Sequence, residues 1–91
     1  MTKPLGYFTD YRPLEDSYLY RLEQKYGSWF QHMSVREKLF LINSISSHLC
    51  SEAADECRNE IFVISNEITT QVSPSDLEGM IEFLIQQVKA S

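Results

Sequence analysis

The sequence predicts an all-α fold: a small helical bundle of three to four antiparallel helices behind an aromatic-rich N-terminal arm. Apolar residues recur every three to four positions through most of the chain, the period of one helix face. Serines followed by acids stand at the heads of three of these runs, where helix caps belong. The segments between runs are short, and short links favour antiparallel neighbours. At 91 residues the chain is expected to form one domain over residues 13–91, preceded by an irregular arm over residues 1–12.

Each element follows from local chemistry. Pro4 and Gly6 punctuate the arm, and Tyr7, Phe8 and Tyr11 make it apolar. Pro13 opens the first helix, where its missing N–H costs nothing, and Glu15 and Asp16 in the first turn suit the helix dipole. Tyr18, Leu19, Leu22 and Tyr26 form its stripe, and Gly27 is the expected stop. A short linker or single turn from Ser28 to Met33 carries Trp29 and Phe30. Ser34-Val35-Arg36-Glu37 reads as a capping box, and Val35, Leu39, Ile42, Ile45 and Leu49 follow on one face.

Ser51 is expected to cap the next helix, with Glu52 and Asp55 in its first turn and a stripe of Ala54, Cys57, Ile61, Ile64, Ile68 and Val72. Within it Ile61-Phe62-Val63-Ile64 is rich in β-branched residues and also fits a strand turning through Ser65-Asn66. A lone hairpin is marginal in water and the flanking period is helical, so helix is the expectation. Ser73-Pro74-Ser75-Asp76 opens the last helix, whose stripe is Leu77, Met80, Ile81, Leu84, Ile85 and Val88. Gly79 inside it either marks a close helix approach or is a tolerated cost.

Composition excludes several function classes. The formal charge is −5, and residues 1–30 balance to zero, so residues 31–91 hold the whole excess. Nucleic-acid binding needs clustered Lys and Arg, and an acidic surface repels phosphate backbones and anionic lipid alike. A protein partner with a basic surface would be attracted. No uncharged apolar run approaches the roughly 20 residues of a membrane span. The opening Met1-Thr2-Lys3-Pro4 leads into polar and aromatic residues, not an apolar leader, so a cytoplasmic protein with reduced thiols is expected.

Candidate chemistry is thin. His48, Cys50 and Cys57 are ligand types that zinc prefers, and a small metal- or thiol-dependent protein using them is the alternative reading. Their spacing fits no C-x-x-C pattern. On one continuous helix Cys50 and Cys57 would lie about 10 Å apart, too far for a disulfide. A nucleophilic thiol needs a cation or a helix N-terminus beside it, whereas Cys50 falls near a helix end and Cys57 among acids. No Gly-rich phosphate loop exists among three glycines. No catalytic residue, metal site or cofactor is therefore assigned, and the chain is not expected to be an enzyme.

The aromatic distribution points to binding. Tyr7, Phe8, Tyr11, Tyr18, Tyr20, Tyr26, Trp29 and Phe30 all fall in the first thirty positions, including all 5 tyrosines. Tyr and Trp are enriched where a surface is both apolar and wet, as at interfaces. From Leu39 to Ser51 no residue is charged, which suits a helix packed on both sides or a dimer seam. The expected function is a non-enzymatic protein-interaction module, an adaptor, regulatory subunit or small inhibitor. Tyr7, Phe8, Tyr11, Tyr20 and Trp29 are its expected partner-binding residues, its acidic face meets a basic protein, and a homodimer is compatible.

Overall fold

The structure, a computed structural model, describes residues 3–9 and 18–90. The all-α class is borne out: among the described residues five helices follow in order, α1 Leu5–Phe8, α2 Tyr18–Tyr26, α3 Val35–Glu52, α4 Asn59–Gln71 and α5 Pro74–Ala90, and no strand occurs. Chain contacts cluster in two compact units, Met1–Ala53 and Ala54–Ser91. None of the described residues is fully buried, and no described helix is long and apolar enough to cross a membrane.

In the first unit the arm is not wholly irregular. Pro4, extended at φ −69° and ψ 160°, leads into the single turn of α1, and Thr9 Oγ1 donates back to the Leu5 carbonyl at 3.2 Å. Leu5 N–H donates to the Ser28 carbonyl at 2.8 Å, tying α1 to the turn after α2. Residues 10–17, with the expected helix start at Pro13, lie outside the described residues. Helix α2 stops at Gly27 as expected: its N–H still donates to the Glu23 carbonyl at 2.8 Å, but its φ of +97° turns the chain out of the helix.

The α3 N-terminus is the clearest agreement between sequence and structure. Glu37 N–H donates to Ser34 Oγ at 3.1 Å, and Ser34 N–H donates to Glu37 Oε1 at 2.8 Å, completing the capping box. The bond donated to its carboxylate by the Ser34 backbone N–H, then that donated by the Ser34 hydroxyl, hold the Glu37 pKa below the ordinary carboxylate value. A folded value below the unfolded one contributes stability that is complete above the unfolded pKa of about 4.3 and fades as pH falls through the folded value. Ser34→Ala is expected to cost about 1 kcal/mol, measured by urea unfolding at pH 7. Glu37→Gln should narrow the stability difference between pH 7 and pH 3, and an unchanged difference would place the pH sensitivity elsewhere.

Two expectations are corrected further on. Ser51 caps no helix: α3 runs through Ser51 and Glu52 to its C-cap at Ala53, and the Ser51 hydroxyl donates to the His48 carbonyl at 2.7 Å. The next helix starts only after Arg58, so Ala54 and Cys57 do not belong to its stripe. A helix-interior serine that bonds back to its own turn cannot serve as a cap, and the apolar period alone did not mark that break.

In the second unit Ile61–Ile64 is helical, within α4, rather than a strand. Val72 and Ser73 alone separate α4 from α5, and Ser73 Oγ accepts from Asp76 N–H at 3.3 Å as the sequence predicts. Gly79 meets nothing within 4 Å of the position a Cβ would occupy, so it marks no close approach. Gly79→Ala is therefore expected to stabilise the protein by up to about 1 kcal/mol through helix propensity, read as a higher urea midpoint.

Candidate functional site

The sequence-predicted binding residues fall mainly in the first unit. Tyr7 and Phe8 on α1 are 63% and 60% exposed, and their rings meet edge to face at 5.0 Å. Trp29 is 45% exposed on the turn that holds α1 through the Leu5–Ser28 bond. Tyr20 is half-buried on α2. Tyr11 lies outside the described residues.

The turn from Gly27 to Met33 sets the position of Trp29. Trp29 N–H donates to the Gln31 side-chain oxygen at 3.3 Å, Phe30 N–H to the Gly27 carbonyl at 3.0 Å, and His32 N–H to the Tyr26 carbonyl at 3.0 Å. Phe30 adopts φ +56°, a conformation that a bulky side chain rarely takes. Its ring packs edge to face on Tyr26 at 6.4 Å, and Met33 N–H donates to its carbonyl at 3.0 Å. These contacts offset a backbone cost of order 1–3 kcal/mol.

Lysines lie over three of the rings. Lys3 Nζ stands 4.0 Å from the Tyr7 centroid, Lys25 Nζ 5.3 Å from Tyr26, and Lys38 Nζ 6.0 Å from Trp29. Each such cation–π contact contributes about 0.5–1 kcal/mol at an exposed site. The aromatic surface is thus bordered by positive charge, which pattern reading missed. No sequence signal marks these pairs, apart from Lys25 standing next to Tyr26.

A cavity of about 240 Å³ opens beside this surface, lined by Tyr26, Met33, Glu37, Phe40 and Leu41. It is smaller than the roughly 300 Å³ at which small-molecule sites begin. Phe40 and Leu41 lie off the stripe that the α3 period defines, yet they face Tyr26 and Met33 here.

His48 and Cys50 stand two residues apart on α3, about 200° around the helix, so they point to opposite sides. Cys57 lies between α3 and α4, and both cysteines are free and exposed. Among the described residues no group of three His, Cys, Asp or Glu gathers where a metal could bind.

No protein-family model, curated protein or solved structure matches this chain.

Proposed function

We propose that the chain is a non-enzymatic protein-interaction module, an adaptor, regulatory subunit or small inhibitor. The observation that carries this is the exposure of Tyr7, Phe8 and Trp29 on one unit, held by the α1–Ser28 bond and the Gln31–Trp29 bond. Large rings standing in water are costly unless another surface covers them, and Tyr and Trp dominate the binding energy of interfaces. The partner is a protein, the setting the cytoplasm, and no cofactor, nucleic acid or membrane is involved. Self-association as a homodimer is compatible with this function.

Charge supports a division of labour. Residues 1–53 balance acids and bases, whereas residues 54–91 carry Asp55, Glu56, Glu60, Glu67, Asp76, Glu78 and Glu82 against Arg58 and Lys89, the whole formal −5. The aromatic unit anchors a partner, and the acidic unit speeds its encounter with a basic surface. In this proposal residues 13–91 form one bundle of three to four antiparallel helices, because apolar faces of this size do not stay in water.

Affinity purification with the intact chain and with a Tyr7→Ser/Phe8→Ser variant of equal helicity tests the function. A protein retained by the first and lost by the second supports it. Equal capture by both removes α1 from the site. Stoichiometric zinc by elemental analysis, lost in Cys57→Ser, would replace the proposal with the thiol-dependent alternative.

A further inference from the structure

We propose that the cavity beside α3 receives one trimethylated lysine side chain of the partner protein. This rests on the partner-binding function proposed above and states which chemical group that partner presents. Tyr26 reaches the cavity from the end of α2, Met33 from the turn before α3, and Glu37, Phe40 and Leu41 from α3 itself. The three α3 residues share a side because positions three and four apart are neighbours on a helix. The Tyr26 ring is braced edge to face by Phe30 at 6.4 Å.

The cavity carries one full negative charge that no cation of the chain neutralises. Glu37 Oε1 accepts from the Ser34 N–H at 2.8 Å, and only Ser34 groups hold its pKa down, with no Lys or Arg contributing. Its neighbours three and four positions away are Met33, Ser34, Phe40 and Leu41, so α3 places no base where it could pair. Arg36 and Lys38 adjoin it in sequence but point about 100° to either side, and Lys38 Nζ stands over Trp29 at 6.0 Å. No Lys or Arg is among the described residues that line the cavity, and Lys25 Nζ stays 5.3 Å from the Tyr26 centroid without entering it. The α3 N-terminus adds about half a positive charge, which the carboxylate outweighs.

These walls select the kind of cation. The Tyr26 and Phe40 rings attract positive charge at short range, and the Glu37 carboxylate adds Coulomb attraction. A primary ammonium brings three N–H donors and a guanidinium five, but the lining offers at most one carboxylate and one hydroxyl to accept them. A trimethylammonium has no donor to satisfy, so it enters without leaving one unpaired. Its methyl groups and four-carbon stem suit Met33 and Leu41. At about 240 Å³ the space lies below the roughly 300 Å³ of the smallest ligand sites, yet it accommodates one long side chain.

The test titrates the intact chain, followed by amide NMR, with four probes. Three are one short neutral peptide bearing trimethyllysine, unmodified lysine or the uncharged tert-butyl isostere of trimethyllysine, and the fourth is choline. The trimethyllysine peptide should give saturable shifts at the Met33, Glu37, Phe40 and Leu41 amides. The lysine and isostere peptides should bind about tenfold more weakly, and choline, which lacks the stem, about threefold more weakly. Glu37→Gln keeps an acceptor for the Ser34 N–H while losing the charge, and Phe40→Leu keeps apolar bulk at an exposed position while losing the ring. Each should weaken the trimethyllysine peptide about fivefold with unchanged circular dichroism. Equal binding of lysine leaves a plain ion pair, equal binding of the isostere an uncharged slot, and equal binding of choline a free quaternary ammonium as occupant. Each of these overturns the proposal, as does an unaltered affinity in either variant or an absence of shifts at the four amides. Tyr7→Ser/Phe8→Ser should bind the peptide like the native chain, so loss of partner capture in that variant and loss of peptide binding in the cavity variants report separately.

Discussion

Trp29→Ala is expected to reduce affinity for the captured partner about 30-fold, roughly 2 kcal/mol, while leaving the protein folded. Trp29 is 45% exposed, so nearly half of its surface is open to a partner. Inside the protein the change loses the distant contact with Lys38 Nζ at 6.0 Å, about 0.5–1 kcal/mol at an exposed ring. A titration of the purified partner against native, Trp29→Phe and Trp29→Ala chains checks this, with Trp29→Phe intermediate. If Trp29→Ala binds normally but unfolds at clearly lower urea, the indole packs the turn and is no anchor.

Gly27→Ala carries the largest expected cost to folding. At φ +97° any Cβ is strained, by about 1–2 kcal/mol on the usual left-handed penalty. The added methyl would also run into the Gln31 carboxamide. Gln31 can swing away, but its oxygen accepts the Trp29 N–H, so relieving the clash releases the tryptophan backbone. Gly27→Ala is thus expected to lower the urea midpoint and to weaken partner binding together. Hydrogen exchange should show faster exchange at the His32 and Met33 amides, which close this turn. Unchanged exchange and affinity would mean that the turn tolerates a side chain at this position.

The helices were legible because their signals are local. Ser34 with Glu37, Ser73 with Asp76, and Gly27 after Tyr26 each act through bonds within a few residues, and all three behave as the sequence predicts. Ser51 misled for a related reason: a serine before acids resembles a cap, but the same hydroxyl satisfies itself on the His48 carbonyl within a continuing helix. One-turn α1 has too few residues for a periodic signal, and it depends on the Leu5–Ser28 bond across more than twenty residues.

For the candidate site, Tyr7, Phe8 and Trp29 are proposed from their residue types, since aromatic density needs no geometry to be seen. Their exposure and the lysines over the rings required coordinates. Phe40 and Leu41 were passed over because periodicity assigns a helix one apolar side, whereas these two line a cavity with Tyr26 and Met33.

The sequence by itself determined the helical class, the cap at Ser34, the stop at Gly27, and the placement of all net charge after residue 53. These depend on the period of apolar residues, on bonds spanning three or four positions, and on composition. Only the tertiary structure decided that Phe30 sits at positive φ, that α1 hangs on the turn bearing Trp29, and that Tyr26 and Phe40 line one cavity with Glu37. Those outcomes depend on which backbone carbonyl or ring comes within reach once the chain is folded, and no spacing along the sequence encodes that distance.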